Sequence, residues 1–157
     1  AARAHDVAWI DLHTGLGPSG VGERIWAGGH DDAAIARARR WWGDQVTSIY
    51  DGSSTSALLT GLMWGAIHDA APQAEYTGIA LEYGTEPIME VLDALRGDQW
   101  LAQHPEAPPE LAASIKSRLL KAFYTDTDAW KGQVVSQARQ AMFQAVDGLR
   151  ADSASAP

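Results

Sequence analysis

The stretch VAWIDLHTGLGPSG, Val7 to Gly20, decides how the chain is read. Its apolar, β-favouring opening turns polar only at Asp11, His13 and Thr14, so VAWIDLHT predicts a buried strand with a polar C-terminal end. The adjoining segment, GLGPSGVGERIWAGGH, carries Gly15, Gly17, Gly20, Gly22, Gly28 and Gly29 together with Pro18, and predicts loop. Gly15 to Gly20 spell G-x-G-x-x-G directly after a strand. A dinucleotide fingerprint also needs a following helix whose N-terminal amides meet the pyrophosphate. VGERIWAGG has no sustained helical period, and Pro18 removes an amide from such a cradle. The glycines therefore predict a segment that passes close to another part of the molecule.

Outward from this stretch, DDAAIARARRWW predicts a helix capped by Asp31 or Asp32 and stopped by Gly43, with a solvated basic face. QVTSIY predicts a short strand, DGSSTSALLTG a turn and polar loop, and LMWGAIHDAAP is ambiguous because Gly65 weakens a helix. YTGIALEYGT predicts a second strand, apolar on both faces as central parallel strands are. Three helices complete the chain. EPIMEVLDALRG has Pro87 in its first turn, Gly97 as its stop, and a stripe of Ile88, Val91, Leu92 and Leu95. PPELAASIKSRLLKAFY has Leu111, Ile115, Leu119 and Phe123 in register, and DAWKGQVVSQARQAMFQAVDGLR has Trp130, Val134, Ala138, Met142, Val146 and Leu149. ADSASAP, 151–157, predicts a disordered tail. The expected fold is α/β, with a mixed, mostly parallel sheet flanked by helices. Two or three strands are few for this many helices, so N-terminal strands are expected to be missing from this chain, and 1–150 to be the C-terminal part of one domain.

Totals narrow the function classes. The 157 residues are 46% hydrophobic and 20% charged, the balance of a globular domain. Twelve basic against 20 acidic residues give a net charge of −8, which repels phosphate and argues against nucleic acid and anionic membranes as partners. No apolar run approaches a bilayer span and no charged-then-apolar leader opens the sequence, so a cytoplasmic location is expected. With no cysteine, disulfides and thiolate sites are excluded, and a metal would be held by histidine and carboxylate. The seven tryptophans point to aromatic-lined packing or pockets.

Chemistry concentrates at the two strand ends. Residues two apart in a strand share a face, so Asp11 and His13 point the same way. In open α/β sheets ligands bind at the C-terminal ends of strands. The second strand places Glu82 near its own end, after uncharged core, where a carboxylate is costly unless it is paired or has a function. Taken singly, His13 admits a structural explanation and so does Glu82. Two such strand ends, each followed by threonine and glycine, point to a site.

In this order, DLHTG, the Gly-rich GLGPSGVGE, DGSSTS and ALEYGT resemble the C-terminal half of zinc carboxypeptidase-like metallopeptidases. The likeness is to a bacterial branch of unknown function, with aspartoacylase and succinylglutamate desuccinylase as relatives, and it covers Trp9 to Leu101. The resemblance implies one zinc ion, with His13 as its third ligand and Glu82 as the general base. It also implies hydrolysis of a peptide or N-acyl amino-acid amide bond. Zinc would polarise the carbonyl and acidify its water, while the glutamate would carry the proton to the leaving amine. Asp11 would be a carboxylate near the imidazole, of the kind that fixes a tautomer. The sequence also departs from that pattern. His5, His13, His30, His68 and His104 open HDVA, HTGL, HDDA, HDAA and HPEA, and none is the H-x-x-E that supplies the first two ligands. Upstream asparagine and arginine residues that grip a substrate carboxylate are absent too. The chain is therefore expected to be inactive without a missing N-terminal segment of the same domain. That segment and a peptide or acylated amino acid are the expected partners, with self-association along an unpaired sheet edge. The alternative is a non-catalytic fragment or binding module that keeps the fold.

Three further candidates remain. Glu23 and Arg24 would line the cleft or form a solvated ion pair. Ser54, in the hydroxyl-rich loop Asp51 to Ser56, would contact substrate or serve the turn. A serine nucleophile is disfavoured because no G-x-S-x-G elbow is present. Tyr83 points away from Glu82 and is read as packing.

Overall fold

The computed structural model describes residues 5–155. Its elements in order are β1 (Asp6–Ser19), β2 (Gly22–Trp26), α1 (Asp32–Trp42), a 3-10 turn (Met63–Gly65), α2 (Ala66–Ala70), β3 (Glu75–Gly84), α3 (Ile88–Gln103), α4 (Pro109–Phe123) and α5 (Asp128–Ser155). The class is α/β, as expected. The three strands lie in the order β1-β3-β2.

The sheet is mixed, but it is not mostly parallel. Glu75 N–H donates to His5 O at 2.7 Å and Gly20 N–H to Gly84 O at 2.9 Å, so β1 and β3 run together. Gly84 N–H donates to Val21 O at 3.3 Å and Ala27 N–H to Gly78 O at 3.0 Å, so β2 runs against β3. The glycine-rich segment expected to be loop is therefore largely strand. β1 extends through it to Ser19, and a turn closed by Val21 N–H on Pro18 O at 3.0 Å starts β2. The span from His5 to Gly20 is longer than the span from Glu75 to Gly84 to which it is bonded at both ends, so β1 is not matched residue for residue by β3. QVTSIY contributes one parallel bridge, Thr47 to Ile25, rather than a strand.

Burial separates the strands. β3 is buried at every position from Tyr76 to Gly84, as its two-faced apolar pattern predicts. β1 is half-buried at best apart from Gly15, because it lies at the edge of the sheet.

Contacts divide the chain into two compact units. One holds Glu23–Leu81 with the described parts of Ala1–Leu12 and Ser136–Pro157. Here Asp31 caps α1 as predicted, accepting from Ala33 and Ala34 N–H, and Gly43 ends it. Trp26, Trp42 and Val46 are fully buried, and the Trp42 indole donates to Ala141 O at 3.0 Å. The basic run is not a solvated face throughout. Arg37, with a side chain 13% exposed, donates to Thr77 Oγ1 at 2.5 Å, to Tyr76 O at 2.8 Å and to Glu75.

The other unit holds His13–Gly22 and Glu82–Val135. Its helices α3 and α4 pack together, and α3 runs through Gly97 instead of stopping there. A Cβ on Gly97 would stand 3.5 Å from Ile115, an ordinary contact, so the position lies at the packed face of α3 without needing a bare Cα.

The predicted apolar stripes are only partly buried. Ile88, Leu92 and Leu95 of α3, Leu111 of α4, and Met142 and Val146 of α5 are exposed. The buried faces run through smaller residues, namely Val91 and Ala94, Ala122, and Ala138, Ala141 and Ala145 beside Trp130. The expected tail is helical to Ser155, and Ala156 and Pro157 lie outside the described residues.

Candidate functional site

Glu82 is the buried carboxylate of β3, two residues before the strand ends, and it is 8% exposed. Its Oε1 accepts the Leu16 backbone N–H at 3.0 Å. This amide belongs to the glycine-rich segment beyond His13, so a main-chain donor orients the carboxylate. His13 is exposed and lies in the middle of β1, not at its end, because β1 continues to Ser19. β1 and β3 are neighbours, and His13 and Glu82 fall in the same unit.

The glycines around this carboxylate do what the sequence implied and let chain segments approach. Gly15 has φ +138°, a conformation that L side chains rarely adopt, and a Cβ there would stand 2.8 Å from Phe123 Cε1 and 3.8 Å from Glu82 Oε1. A Cβ on Gly84 would stand 2.2 Å from both Gly17 O and Pro18 O. The threonines flanking the site serve α4. Thr14 Oγ1 donates to Phe123 O at 2.7 Å and Thr85 Oγ1 to Ala122 O at 2.6 Å. Tyr83 is fully buried, with its hydroxyl donating to Val134 O at 3.2 Å, in keeping with a packing role.

Asp11, Arg24 and Ser54 fall in the other unit. Asp11 is half-buried near Tyr76, where burial and then the Asp11 charge push the tyrosine pKa well above its ordinary value. Arg24 donates to Trp42 O at 2.8 Å and to Gln140 Oε1 at 3.4 Å, a structural tether between α1 and α5. Ser54 Oγ accepts Ser56 N–H at 3.0 Å, which is turn chemistry.

Glu23 has a role that the sequence does not disclose. Its carboxylate accepts the Thr47 hydroxyl at 2.6 Å, the Thr55 amide at 3.1 Å and the Thr55 hydroxyl, so it pins the hydroxyl-rich loop. Burial pushes the Glu23 carboxyl up. The Thr47 and Thr55 donors, joined by the Ser54 hydroxyl, outweigh burial and hold it below its ordinary value of 4.5. Only the acid, followed by arginine and preceded by glycine, is visible in sequence; its partners lie too far along the chain to be inferred.

A cavity of about 430 Å³ in the same unit has Trp26, His30, Arg37 and Glu75 in its walls. Its polar groups are engaged with the fold. Arg37 is held by three partners, the Trp26 indole donates to Gly29 O at 2.8 Å, and His30 stacks on Tyr50 at 5.1 Å.

For a metal, the test is the donor set. Among the described residues no three histidine, aspartate or glutamate side chains group to hold an ion. His13 provides one imidazole, which suits one position of a zinc set and does not complete the three-ligand set of a catalytic ion. No helix among the described residues is long and apolar enough to cross a membrane.

Residues 1–137 match the family model described as protein of unknown function, DUF2817. No curated protein and no solved structure matches the chain. The match spans most of the sequence, and the chain belongs to the DUF2817 family.

Proposed function

We propose that this DUF2817 chain is the C-terminal part of a carboxypeptidase-like zinc hydrolase acting on peptide or N-acyl amino-acid amide bonds, with Glu82 as general base and His13 as one metal ligand. The observation that carries the proposal is Glu82 itself: a carboxylate 8% exposed on a strand otherwise buried and uncharged from Tyr76 onward, oriented by the Leu16 amide three residues after His13. A carboxylate kept on a buried, otherwise uncharged strand and met by a directed donor suits a site that moves protons. Zinc, when bound, supplies Lewis acidity at the carbonyl. The chain's own part is proton transfer: the Glu82 carboxylate accepts a proton from the attacking water and gives it to the amide nitrogen that leaves.

The remaining ligands come, in this proposal, from N-terminal strands of the same domain that pair along the outer edge of β1. The edge position of β1 and the exposure of Leu12 on it support that placement. Where those strands are lacking, the same edge serves self-association. Asp11 lies beside Tyr76 in the unit that does not hold His13 and Glu82, and the tethers of Arg24 and Ser54 fit fold roles better than substrate contact.

The test uses the complete protein, a panel of N-acyl amino acids and short peptides, and metal analysis of each variant. Glu82→Gln should lower turnover by about 10²–10⁴-fold with zinc content near wild type, and His13→Ala should lower both. Loss of zinc in Glu82→Gln, or near-normal turnover, overturns the assignment. A complete protein that holds zinc poorly and turns over nothing in the panel favours the alternative, a non-catalytic module.

A further inference from the structure

Phe123 ends α4, far along the sequence from Glu82, yet two bonds from the site strands fix its position. The last carbonyls of a helix have no partner within it. Here Tyr124 N–H closes the final turn on Leu120 O at 2.9 Å. The Ala122 and Phe123 carbonyls are taken by the hydroxyls of Thr85 and Thr14, at 2.6 and 2.7 Å. Thr14 follows His13 directly and Thr85 lies three residues after Glu82, so the strands that bear the site residues also hold the end of α4. The ring of Phe123 is thereby laid on Gly15, with Cε1 2.8 Å and Cδ1 3.2 Å from the point where a Cβ would stand. The next amide, that of Leu16, is the one that meets Glu82 Oε1 at 3.0 Å.

We infer that Phe123 is a positioning residue for Glu82: its ring, held by the Thr14 and Thr85 hydroxyls, pins the Gly15–Leu16 peptide so that the Leu16 N–H orients the carboxylate. This rests on Glu82 being the reacting carboxylate, but the linkage can be read without turnover. Gly15 is part of the device. Its bare Cα admits the ring, and its φ of +138° is a conformation that a side chain there would strain.

The test is amide NMR on the ¹⁵N-labelled full chain. In wild type, the Leu16 amide shift should follow the titration of Glu82, and Glu82→Gln should abolish that dependence. Phe123→Ala should weaken the dependence and raise Leu16 hydrogen exchange about tenfold, the size expected for losing one supported hydrogen bond, while Ile79 in β3 keeps its protection. Thr14→Val and Thr85→Val should act in the same direction, and Thr14→Ser, which keeps the hydroxyl, should restore wild-type behaviour. If Phe123→Ala does not fold, Thr14→Val decides. A folded variant whose Leu16 exchange stays within about twofold of wild type, with its titration intact, overturns the inference. Failure of the general-base proposal would appear instead as normal turnover in Glu82→Gln, while the Leu16 titration in wild type and the exchange results for Phe123→Ala and Thr14→Val still come out as expected here.

Discussion

Gly84→Ala places a methyl group where two chain segments already touch. The ideal Cβ stands 2.2 Å from Gly17 O, 2.2 Å from Pro18 O and 2.4 Å from Pro18 C. Ordinary contacts begin near 3.4 Å, and 3.4 less 2.2 leaves about 1.2 Å to be found. All three neighbours are main-chain atoms, so no rotamer change provides it. The Gly84 peptide is also tied down, by Gly20 N–H and the Trp130 indole on its oxygen, each at 2.9 Å, and by its own N–H on Val21 O at 3.3 Å. Opening the clash stretches those bonds beyond useful length. Overpacking costs about 1–3 kcal/mol, and each buried bond left unmade costs about 1–3 kcal/mol more. With partial relaxation the expected loss is about 3–5 kcal/mol, or roughly 10 °C in Tm for a chain of this size. Urea unfolding followed by tryptophan fluorescence measures it, and Trp130 reports from the affected bond. Gly132→Ala is the control: nothing lies within 4 Å of its Cβ position inside α5, so it should gain about 0.5–1 kcal/mol. A Gly84→Ala protein within about 1 kcal/mol of wild type would refute the close approach of β3 to the Gly17–Pro18 backbone.

Two further outcomes are expected. Because its folded-state pKa lies below its ordinary 4.5, Glu23 stabilises the fold fully above that pH and loses this contribution as pH falls through the lower folded value. Glu23→Gln should therefore be less stable at neutral pH and show a shallower acid-side decline below 4.5; urea midpoints that fall in parallel in both proteins would contradict it. Arg37→Met should cost about 2–3 kcal/mol by leaving Thr77 Oγ1 and Tyr76 O without their donor, a loss discounted for the exposure of Glu75. A chemical-denaturation loss under about 1 kcal/mol would show that these bonds are replaced by solvent.

Elements whose signals are local are readable from sequence, and those that depend on partners are not. Asp31 as cap and Gly43 as stop fix α1 by themselves, and a short run that is apolar on both faces fixes β3. GERIW does not announce itself as β2, because its short run lies behind glycines and its pairing is set by a turn at Pro18–Val21 that reverses the chain beside β3. Gly97 misleads for a related reason. An interior glycine costs a helix only about 1 kcal/mol, which the packing of α3 along its whole length against α4 outweighs. The helix stripes fail where close packing favours small side chains. Trp41 lies within 2.4 Å of a Cβ position on Gly148, so that face of α5 must be alanine and glycine, and the larger Met142 and Val146 turn outward.

The same division holds at the site. His13 and Glu82 stand out because residue type and strand position announce them. What orients Glu82 does not, because the donor is the Leu16 main chain, and a backbone amide has no signature in sequence. The threonine and glycine that follow His13 and Glu82 look like chemistry, and the geometry gives them another task. Thr14 and Thr85 cap α4, while Gly15 and Gly84 admit Phe123 and the Gly17–Pro18 backbone. Threonine suits that task because its hydroxyl reaches a helix-terminal carbonyl while its methyl group suits a strand. The motif is then best understood as a support for a carboxylate. In that case Thr14→Val should loosen Glu82 without removing any group that touches substrate, and Thr14→Ser should not.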